Sequence, residues 1–361
     1  MKEKDIINDI ISNIEKIDFL EIFETIRPVL ICYIASRTIG DYVLNRRHKN
    51  NNYLKVYIPE EVNKKLKNID DVDIEKVCSL KYANQIRIFS NTMMQNFKEK
   101  DLQNFYNNLN DLSIENIKKK KSFIHNYSTI GYYDTDVNTI YITDKYVDTT
   151  IYHELLHMAS SIIIDEKNIR TGFHYITTHG HIGIGLNEGY TYLLTKRYFT
   201  YNKNSGYNYQ LNIAETLERI IGKDQMESLY LNANIYGLIN ELRKYEDEKS
   251  IMQFIYNLDF ITDVSGRQRR TFLGKKYLEG SISNTSNFLI KCYLKKKKEE
   301  FDTRKISYEE LENSIFDYIN EFDKELKIGK EKYKYIREEM LLNTLNNIFE
   351  INTNKSEKKF F

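Results

Sequence analysis

Apolar residues recur at helical spacing along most of the chain. Only two prolines occur in 361 residues, so little in the sequence breaks a helix. The first helix after residue 207 is expected to end at Gly222, and residues 352–359 are expected to form a frayed tail. The pattern predicts two helices within residues 3–45, several polar amphipathic helices within 60–120, a helical pair or triplet within 207–246, and charged helices from there to about residue 350.

Strand-like alternation occurs at residues 53–58 and again after residue 121, where aromatic and β-branched residues become frequent. Residues 138–142 predict a short strand, with Tyr132 and Tyr133 on a partner strand across an Asp-rich turn. The four glycines of residues 170–185 predict a loop or an irregular hairpin. A further helix is expected over about 186–199.

These patterns predict a mostly α fold with a small β-sheet, in the α+β class. We expect three parts: a mainly helical N-terminal region (1–120), a mixed central core (121–250) and a helical C-terminal region (251–361). The length fits one large domain or two modest ones.

Charge and composition exclude several classes of function. Lys and Arg total 53 against 52 Asp and Glu, and a net charge of +1 gives no footprint for nucleic acid. We interpret the basic run at 295–298 as a solvated helix face. Three widely spaced cysteines form no disulfide framework and suit a reducing compartment. The sequence shows neither a signal peptide nor the ~20 apolar residues that span a bilayer, so we expect a cytoplasmic protein without a membrane partner.

The motif His153-Glu154-Leu155-Leu156-His157 carries the candidate chemistry. Two histidines four residues apart lie on one face of a helix and can share a metal ion. Glu154 is turned by roughly 100° from His153, which places it beside the metal, where a general base for a bound water is needed. The opposite, apolar face is expected to pack in the core and consists of Ile151, Leu155, Met158 and Ile162.

A catalytic zinc ion needs a third protein ligand, and Glu188 is the candidate. We expect it in the first turn of the 186–199 helix, where the helix dipole also favours an acidic residue. One of His174, His179 and His181 could replace Glu188 as the ligand. Against this, a glycine-rich segment is mobile, whereas a metal site favours rigid elements. Otherwise these histidines line the cleft or are exposed loop residues.

The five-residue motif, followed by Asn187-Glu188-Gly189, resembles the gluzincin branch of the zincin metallopeptidases, which includes the thermolysin-like enzymes. The resemblance covers residues 120–240. It implies a zincin-like catalytic core with one zinc ion, held by His153, His157 and Glu188. It also implies that residues 138–142 form an edge strand that pairs with extended substrate.

The sequence departs from related patterns at two places. Metzincins have a glycine and a third histidine after the second motif histidine, but Ser160 and Ile163 stand there, so that branch is excluded. Thermolysin-like enzymes have an Asp four residues after the glutamate ligand, which orients a ligand histidine. Here that position is Tyr192, so a backbone carbonyl or Asn187 is expected to orient the histidine.

The predicted function is that of a zinc-dependent hydrolase, a metallopeptidase that acts on a peptide or protein substrate. Glu154 would take a proton from zinc-bound water and deliver it to the leaving amine. Gluzincins commonly stabilise the oxyanion with a Tyr or His from the region after the third ligand. The resemblance therefore suggests Tyr207, with Tyr209 as the alternative.

Two other functions stay open. A zincin-fold domain could bind zinc as a regulatory or toxin-like module with little or no peptidase turnover. A helical scaffold could also carry the five-residue motif by chance. The presence of Glu154 favours the hydrolase over the module, because a purely structural zinc site needs no base. The sequence does not indicate the oligomeric state.

Overall fold

Helices form most of the structure, a computed structural model of the chain. It describes residues 80–116, 131–143, 147–165, 168–177, 180–199, 208–263, 272–322, 325–328, 331–334 and 338–349. All of these belong to one unit of the chain, residues 65–361. The elements predicted within 3–45, at 53–58 and at 352–359 lie outside the described residues.

The mostly α fold with small sheets is confirmed. Four α-helices lie in the first part of the described chain: α1 (Leu80–Asn96), α2 (Gln103–Leu109), α3 (Val147–Ala159) and α4 (Ile184–Tyr198). A 3₁₀ turn, Glu99–Asp101, separates the first two. The predicted helical pair or triplet is a triplet: α5 (Asn208–Ile221), α6 (Lys223–Leu231) and α7 (Ile235–Leu242). Gly222 separates α5 from α6, as predicted, with a φ of 104° that favours glycine. The C-terminal helices are α8 (Glu248–Asp263), α9 (Phe272–Asp302), α10 (Tyr308–Phe322) and α11 (Glu338–Phe349).

A three-stranded sheet precedes α3. Its strands β1 (Ser113–Asn116), β2 (Gly131–Asp134) and β3 (Thr139–Ile142) lie in the order β1-β3-β2. The predicted antiparallel pair is confirmed, with Tyr133 opposite Ile140. Two expectations are corrected. β1 lies in a stretch predicted as helical, and because it pairs with β3 in parallel, β3 is the central strand of the described sheet and β2 an edge strand.

Four strands between residues 161 and 182 form an antiparallel sheet, where the sequence had predicted a loop or irregular hairpin over 170–185. The strands β4 (Ser161–Asp165), β5 (Asn168–Thr171), β6 (His174–Thr177) and β7 (Gly180–Ile182) lie side by side in chain order. The β-branched run from Ile162 to Ile164 favours a strand, so α3 ends before it. Ile162 therefore leaves the apolar helix face to which its spacing had assigned it.

The described residues of the C-terminal part are helical except for one hairpin, which corrects the expectation of helices throughout. Strands β8 (Glu325–Ile328) and β9 (Glu331–Lys334) pair antiparallel. Helix α9 has 31 residues. Neither it nor any other helix in the described ranges is apolar and long enough to cross a membrane.

One hydrophobic core joins the described elements. Its buried side chains run in sequence from Tyr82 to Tyr318 and come from all three predicted regions. Near α3, the ring of Phe199 stacks between those of Phe89 and Tyr152, with centroid distances of 5.2 and 4.7 Å. This stack fixes α3 against α1 and the end of α4. The division at residues 120 and 250 stays a prediction.

The basic run of α9 contacts neighbouring helices, which the interpretation as a solvated face had missed. Lys295 Nζ donates to Tyr245 O at 2.5 Å and to Glu246 Oε1 at 2.8 Å. Lys296 Nζ donates to Arg219 O, in the last turn of α5, at 2.7 Å. Carbonyl groups at helix ends lack partners within the helix and carry partial negative charge. These lysines therefore join α9 to the turn after α7 and to the end of α5.

Candidate metal centre

Helix α3 carries both motif histidines on one face, as their spacing predicted. The Nε2 atoms of His153 and His157 are 3.1 Å apart. On the opposite face, Ile151, Leu155 and Met158 are completely buried. Because this apolar face is fixed in the core, the helix presents its two imidazoles to the neighbouring helix α4.

The C-terminal end of α3 is anchored by side chains. The amide group of Asn108, on α2, donates to Met158 O and Ser161 O, both at 2.8 Å. The Ser161 hydroxyl donates to His157 O at 2.6 Å. The last carbonyls of a helix have no partner within it, so these bonds supply the missing donors. They also fix the backbone of the second histidine.

Glu188 reaches the histidines from α4. The helix begins at Ile184, so Glu188 lies in its second turn and not in the first, as the sequence had suggested. The chain enters the helix through Gly183, whose φ is 86°. A Cβ at this position would lie 2.1 Å from Phe173 O, so a larger residue would displace the turn between β5 and β6.

A buried carboxylate from α8 caps the start of α4. Asp259 accepts the backbone N–H of Gly183 at 2.7 Å and that of Gly185 at 2.9 Å. These are groups that a helix N-terminus leaves without partners, and the negative charge suits the positive end of the helix dipole. Sequence reasoning missed Asp259, because it is distant from Glu188 in the chain and belongs to no motif.

The three predicted ligands form one cluster. His153 Nε2 lies 3.3 Å from Glu188 Oε2, and His157 Nε2 lies 3.5 Å from Glu188 Oε1. Within the described ranges this is the group of donor atoms, all within 4.8 Å of one another, that could hold a metal ion. In a tetrahedral site with bonds of about 2.1 Å, donor atoms are about 3.4 Å apart, close to the distances seen here. Two imidazoles and a carboxylate therefore fit three corners of such a site.

Burial and mutual charge shift the pKa values of the cluster. Burial alone would raise the pKa of Glu188, but the charge of His157 and a hydrogen bond from His153 outweigh it and lower this pKa to about 2. Burial lowers the pKa of His157 to about 3. Burial alone would lower the pKa of His153. The hydrogen bond with Glu188 and the charges of two carboxylates outweigh burial and raise this pKa above its ordinary value. Metal ligation needs the carboxylate and neutral imidazoles, so Glu188 and His157 already have the required forms at neutral pH.

Glu154 lies beside the cluster and is 5% exposed. Its carboxylate accepts a hydrogen bond from the backbone N–H of Tyr133, on β2. Strand β2 can approach α3 because its first residue is Gly131, where a Cβ would lie 2.9 Å from Thr150 Cγ2. Burial raises the pKa of Glu154 to about 7. The charge of His153 lowers this pKa, and the charge of Glu188 raises it further. A carboxyl group with such a pKa can both accept and release a proton near neutral pH.

The second ring nitrogen of His157 faces α4. Its Nδ1 atom lies 3.2 Å from Asn187 Nδ2 and 3.5 Å from Thr191 Oγ1. Thr191 Oγ1 donates to Asn187 O at 2.7 Å and lies 2.6 Å from the hydroxyl of Tyr230. Tyr192, at the position of the missing Asp, is buried in the hydrophobic core. The contact with Asn187 agrees with the sequence-based suggestion, whereas Thr191 and Tyr230 were not foreseen.

The two contacts to His157 Nδ1 suit opposite tautomers. Asn187 Oδ1 accepts the N–H of Phe173 at 3.2 Å, which directs its Nδ2–H toward an unprotonated Nδ1. A histidine that binds metal through Nε2 carries its proton on Nδ1. Thr191 can accept that proton, because its own hydrogen bonds Asn187 O and the Tyr230 hydroxyl can occupy one of its two lone pairs. Thr191 is thus the acceptor that suits the ligating tautomer.

The other histidines of this region lie outside the cluster. The third member of the described cluster is Glu188 and not His174 or His181, and His179 lies outside the described residues. The rings of His174, on β6, and His181, on β7, are 5.5 Å apart. His181 is exposed, but burial, with the charge of His181, lowers the pKa of His174 to about 4. His174 is therefore neutral at neutral pH.

Tyr207 and Tyr209 were the two residues suggested to stabilise the oxyanion. Tyr207 lies outside the described residues, and its assignment stays a prediction. Tyr209 is buried, and its hydroxyl donates to Ile282 O, on α9, at 3.4 Å. This hydroxyl therefore takes part in the packing of α5 against α9.

No protein-family model, curated protein or solved structure matches this chain. The resemblance to gluzincins thus rests on the motif residues of α3 and α4. The function is inferred from the geometry of these residues.

Proposed function

We propose that the protein is a zinc metallopeptidase. The observation that carries the proposal is the convergence of two imidazoles and one carboxylate beside the buried carboxyl group of Glu154. Catalytic zinc sites use three protein ligands and keep one position open, whereas structural sites use four. A structural site needs no buried carboxyl group beside its ligands, whereas such a group suits proton transfer.

In this proposal the three metal ligands and Glu154 have separate roles in the reaction. A zinc ion held by His153, His157 and Glu188 would supply a Lewis acid that polarises the scissile carbonyl and lowers the pKa of a water molecule to about 7. Glu154 accepts a proton from this water as the water oxygen bonds to the carbonyl carbon. It then releases the proton to the amide nitrogen, and the carbon–nitrogen bond breaks to give an amine and a carboxylic acid.

Strand β2 supports a peptide as the substrate. It is an edge strand of the described three-stranded sheet, and its Tyr133 N–H contacts the general base. An extended peptide can add to a sheet edge through backbone hydrogen bonds. Pairing along β2, and not along β3 as the sequence suggested, would bring the peptide backbone beside Glu154.

Metal analysis and peptide cleavage test the proposal together. We expect one zinc ion per chain in the wild type and in Glu154→Gln, and loss of this zinc in His153→Ala and Glu188→Ala. Glu154→Gln keeps the side-chain volume but removes the base, so kcat/KM on a peptide mixture should fall about 10²–10⁴-fold. Glu215→Gln is the matched control, since its carboxylate lies in an ion pair with Lys196, outside the metal cluster. It should cleave like the wild type.

Two results would contradict the proposal at different levels. Stoichiometric zinc with equal inertness of wild type and Glu154→Gln on diverse peptides would reject the peptidase and leave a zinc-binding module. A chain that binds no zinc would show that the motif on α3 is accidental.

A further inference from the structure

An aromatic pair lies on one face of the three-stranded sheet, next to its β2 edge. The rings of Tyr132, on β2, and Tyr141, on β3, stack with their centroids 4.9 Å apart and an angle of 25° between their planes. The two residues are direct partners in the antiparallel register. Tyr132 is nevertheless 44% exposed, so much of this ring remains in contact with solvent. The β2 edge therefore offers an accessible aromatic surface.

Two acidic residues share this face with the rings. Side chains alternate along a strand, and directly opposite residues of paired strands project to the same side. Glu115, on β1, pairs with Tyr141, so Glu115, Tyr141 and Tyr132 form one row across the sheet. Asp134 lies two residues after Tyr132 on β2 and projects to the same side. We call these four residues the acidic–aromatic face.

The two carboxylates act electrostatically on the exposed ring. Burial and the neighbouring Tyr141 raise the pKa of Tyr132, and the negative charges of Asp134 and Glu115 raise it further. Glu115 is itself exposed. The acidic–aromatic face thus combines an accessible ring with two negative charges, which is the chemistry that attracts a cation with an apolar stem.

Tyr132 stands between two residues that contact α3. Tyr133 donates its N–H to Glu154, and at Gly131 a Cβ would lie 2.9 Å from Thr150 Cγ2. Gly131 and Tyr133 belong to the side of the sheet that faces α3, so the ring of Tyr132 projects to the other side. A peptide added to the β2 edge would place one of its side chains about 5 Å from that of Tyr132, on the same side. This peptide residue would also lie close to Glu154.

We propose that the acidic–aromatic face binds a lysine or arginine side chain of the substrate, within about two residues of the cleaved bond, given the short rise per residue of an extended peptide. The inference rests on the proposed peptidase function and on pairing along β2. The cation lies against the face of the Tyr132 ring, and Glu115 and Asp134 stabilise its charge. The same carboxylates repel an acidic side chain. An uncharged apolar side chain would contact the ring without this electrostatic gain.

Cleavage of matched peptides tests this preference in the zinc-loaded protein. Mass spectrometry of the products of a peptide library should show Lys and Arg enriched at one fixed position within about two residues of the cleaved bond. For two peptides that differ only in lysine against norleucine at this position, kcat/KM should be about 3–30-fold higher for lysine. Affinities of the same peptides for zinc-loaded Glu154→Gln, measured by titration calorimetry, should differ in the same direction. This second readout requires no turnover.

Variants of the face separate its two components. Tyr132→Leu keeps an apolar side chain without a ring and should bring the lysine-to-norleucine ratio close to one, whereas Tyr132→Phe should keep most of it. Glu115→Gln should lower the ratio in part and weaken its dependence on salt, because a charge is removed. Tyr308→Leu is the matched control, since Tyr308 is 57% exposed at the start of α10. It should retain the wild-type ratio.

The outcomes distinguish the inference from the function on which it rests. A wild type that cleaves no peptide rejects the peptidase, and the inference with it. A wild type that cleaves peptides without favouring Lys or Arg near the cleaved bond, or that favours apolar residues there, rejects only the inference. So does a lysine-to-norleucine ratio that stays unchanged in both Tyr132→Leu and Glu115→Gln. Circular dichroism identifies misfolding, and the exposed Glu115→Gln decides if Tyr132→Leu does not fold.

Discussion

Thr191 Oγ1 lies 3.5 Å from His157 Nδ1, and the neighbouring Tyr192 stands where the resemblance to thermolysin-like enzymes would put an orienting carboxylate. The Thr191 hydroxyl joins His157 Nδ1, the carbonyl of Asn187 and the hydroxyl of Tyr230 in one buried network. A neutral hydroxyl can orient an imidazole, but it raises the basicity of the ring less than a carboxylate does. At the scale of single residues, the site thus obtains ligand orientation from a threonine one turn beyond Asn187.

Replacing Thr191 by valine should weaken zinc binding. The substitution keeps the side-chain shape but removes the acceptor for His157 Nδ1–H, and loss of such an outer contact typically weakens metal affinity about 10–100-fold. Competition with a zinc chelator measures the change. Thr195→Val is the matched control, because the Thr195 hydroxyl is equally buried on the same helix and donates to Thr191 O at 2.7 Å. Equal zinc affinities of the two variants would exclude a positioning role for Thr191.

At the scale of elements, charged side chains of other helices hold α4 at both ends. Asp259 caps its first turn from α8. In its last turn, Arg197 donates to both carboxylate oxygens of Glu218, on α5, at 2.9 and 2.5 Å, and to Glu227, on α6, at 3.1 Å. These bonds fix the rotation of α4 about its axis. The direction in which Glu188 points is therefore set by residues that are far from it in sequence.

Replacing Asp259 by alanine should lower both stability and metal affinity. The substitution leaves two buried N–H groups without acceptors, which should reduce the free energy of unfolding by about 2–4 kcal/mol in urea titrations. Zinc affinity should fall too, because the start of α4 is no longer held. Asp247 offers a matched control: it accepts the N–H of Ser250 at the exposed start of α8 at 2.9 Å. If Asp247→Ala lowers zinc affinity as much as Asp259→Ala does, the cap has no specific link to the site.

Local spacing predicted the parts of the site that lie within single helices. The two faces of α3 follow from the positions of His153, His157 and Leu155, and the Asn187-Glu188 pair stands at the start of the next helix. Helix α3 ends earlier than its apolar spacing suggested, because Ile162 continues the helical pattern while its β-branched neighbours favour a strand.

The contacts that link the site to other elements could not be predicted from the sequence. Asp259 and Thr191 each look like an ordinary polar residue of a helix, and only the packing of α8 and α3 against α4 reveals their partners. His174 was one of three candidate histidines in a glycine-rich stretch. Its distinction from His181, a half-buried residue against an exposed one, depends on the sheet that this stretch forms.

At the scale of the whole molecule, the site is built on a core that crosses the predicted region boundaries. Buried residues of α1, α3, α5, α8 and α9 belong to the same hydrophobic cluster. Helix α8 contributes both core side chains, such as Phe254 and Leu258, and the carboxylate that caps α4. The site region and the C-terminal helices therefore depend on each other for packing.

We expect α3, α4 and α9 to unfold together. A shared core makes partial unfolding costly, so their backbone N–H groups should lose protection over the same range of urea concentrations. Hydrogen exchange followed by mass spectrometry provides the measurement. Loss of protection in α9 at clearly lower urea than in α3 and α4 would instead establish 251–361 as an independent region, as the sequence division proposed.

The cap that Asp259 places on α4 makes two equilibria depend on each other. Coupling free energies are reciprocal, so the factor by which removal of this carboxylate weakens zinc binding is also the factor by which zinc strengthens the cap. Metal loading should then slow the opening of the Gly183 and Gly185 amides, although neither contacts the ion. The strength of the contact between α8 and α4 would therefore depend on zinc binding, although α8 contributes none of the three proposed ligands.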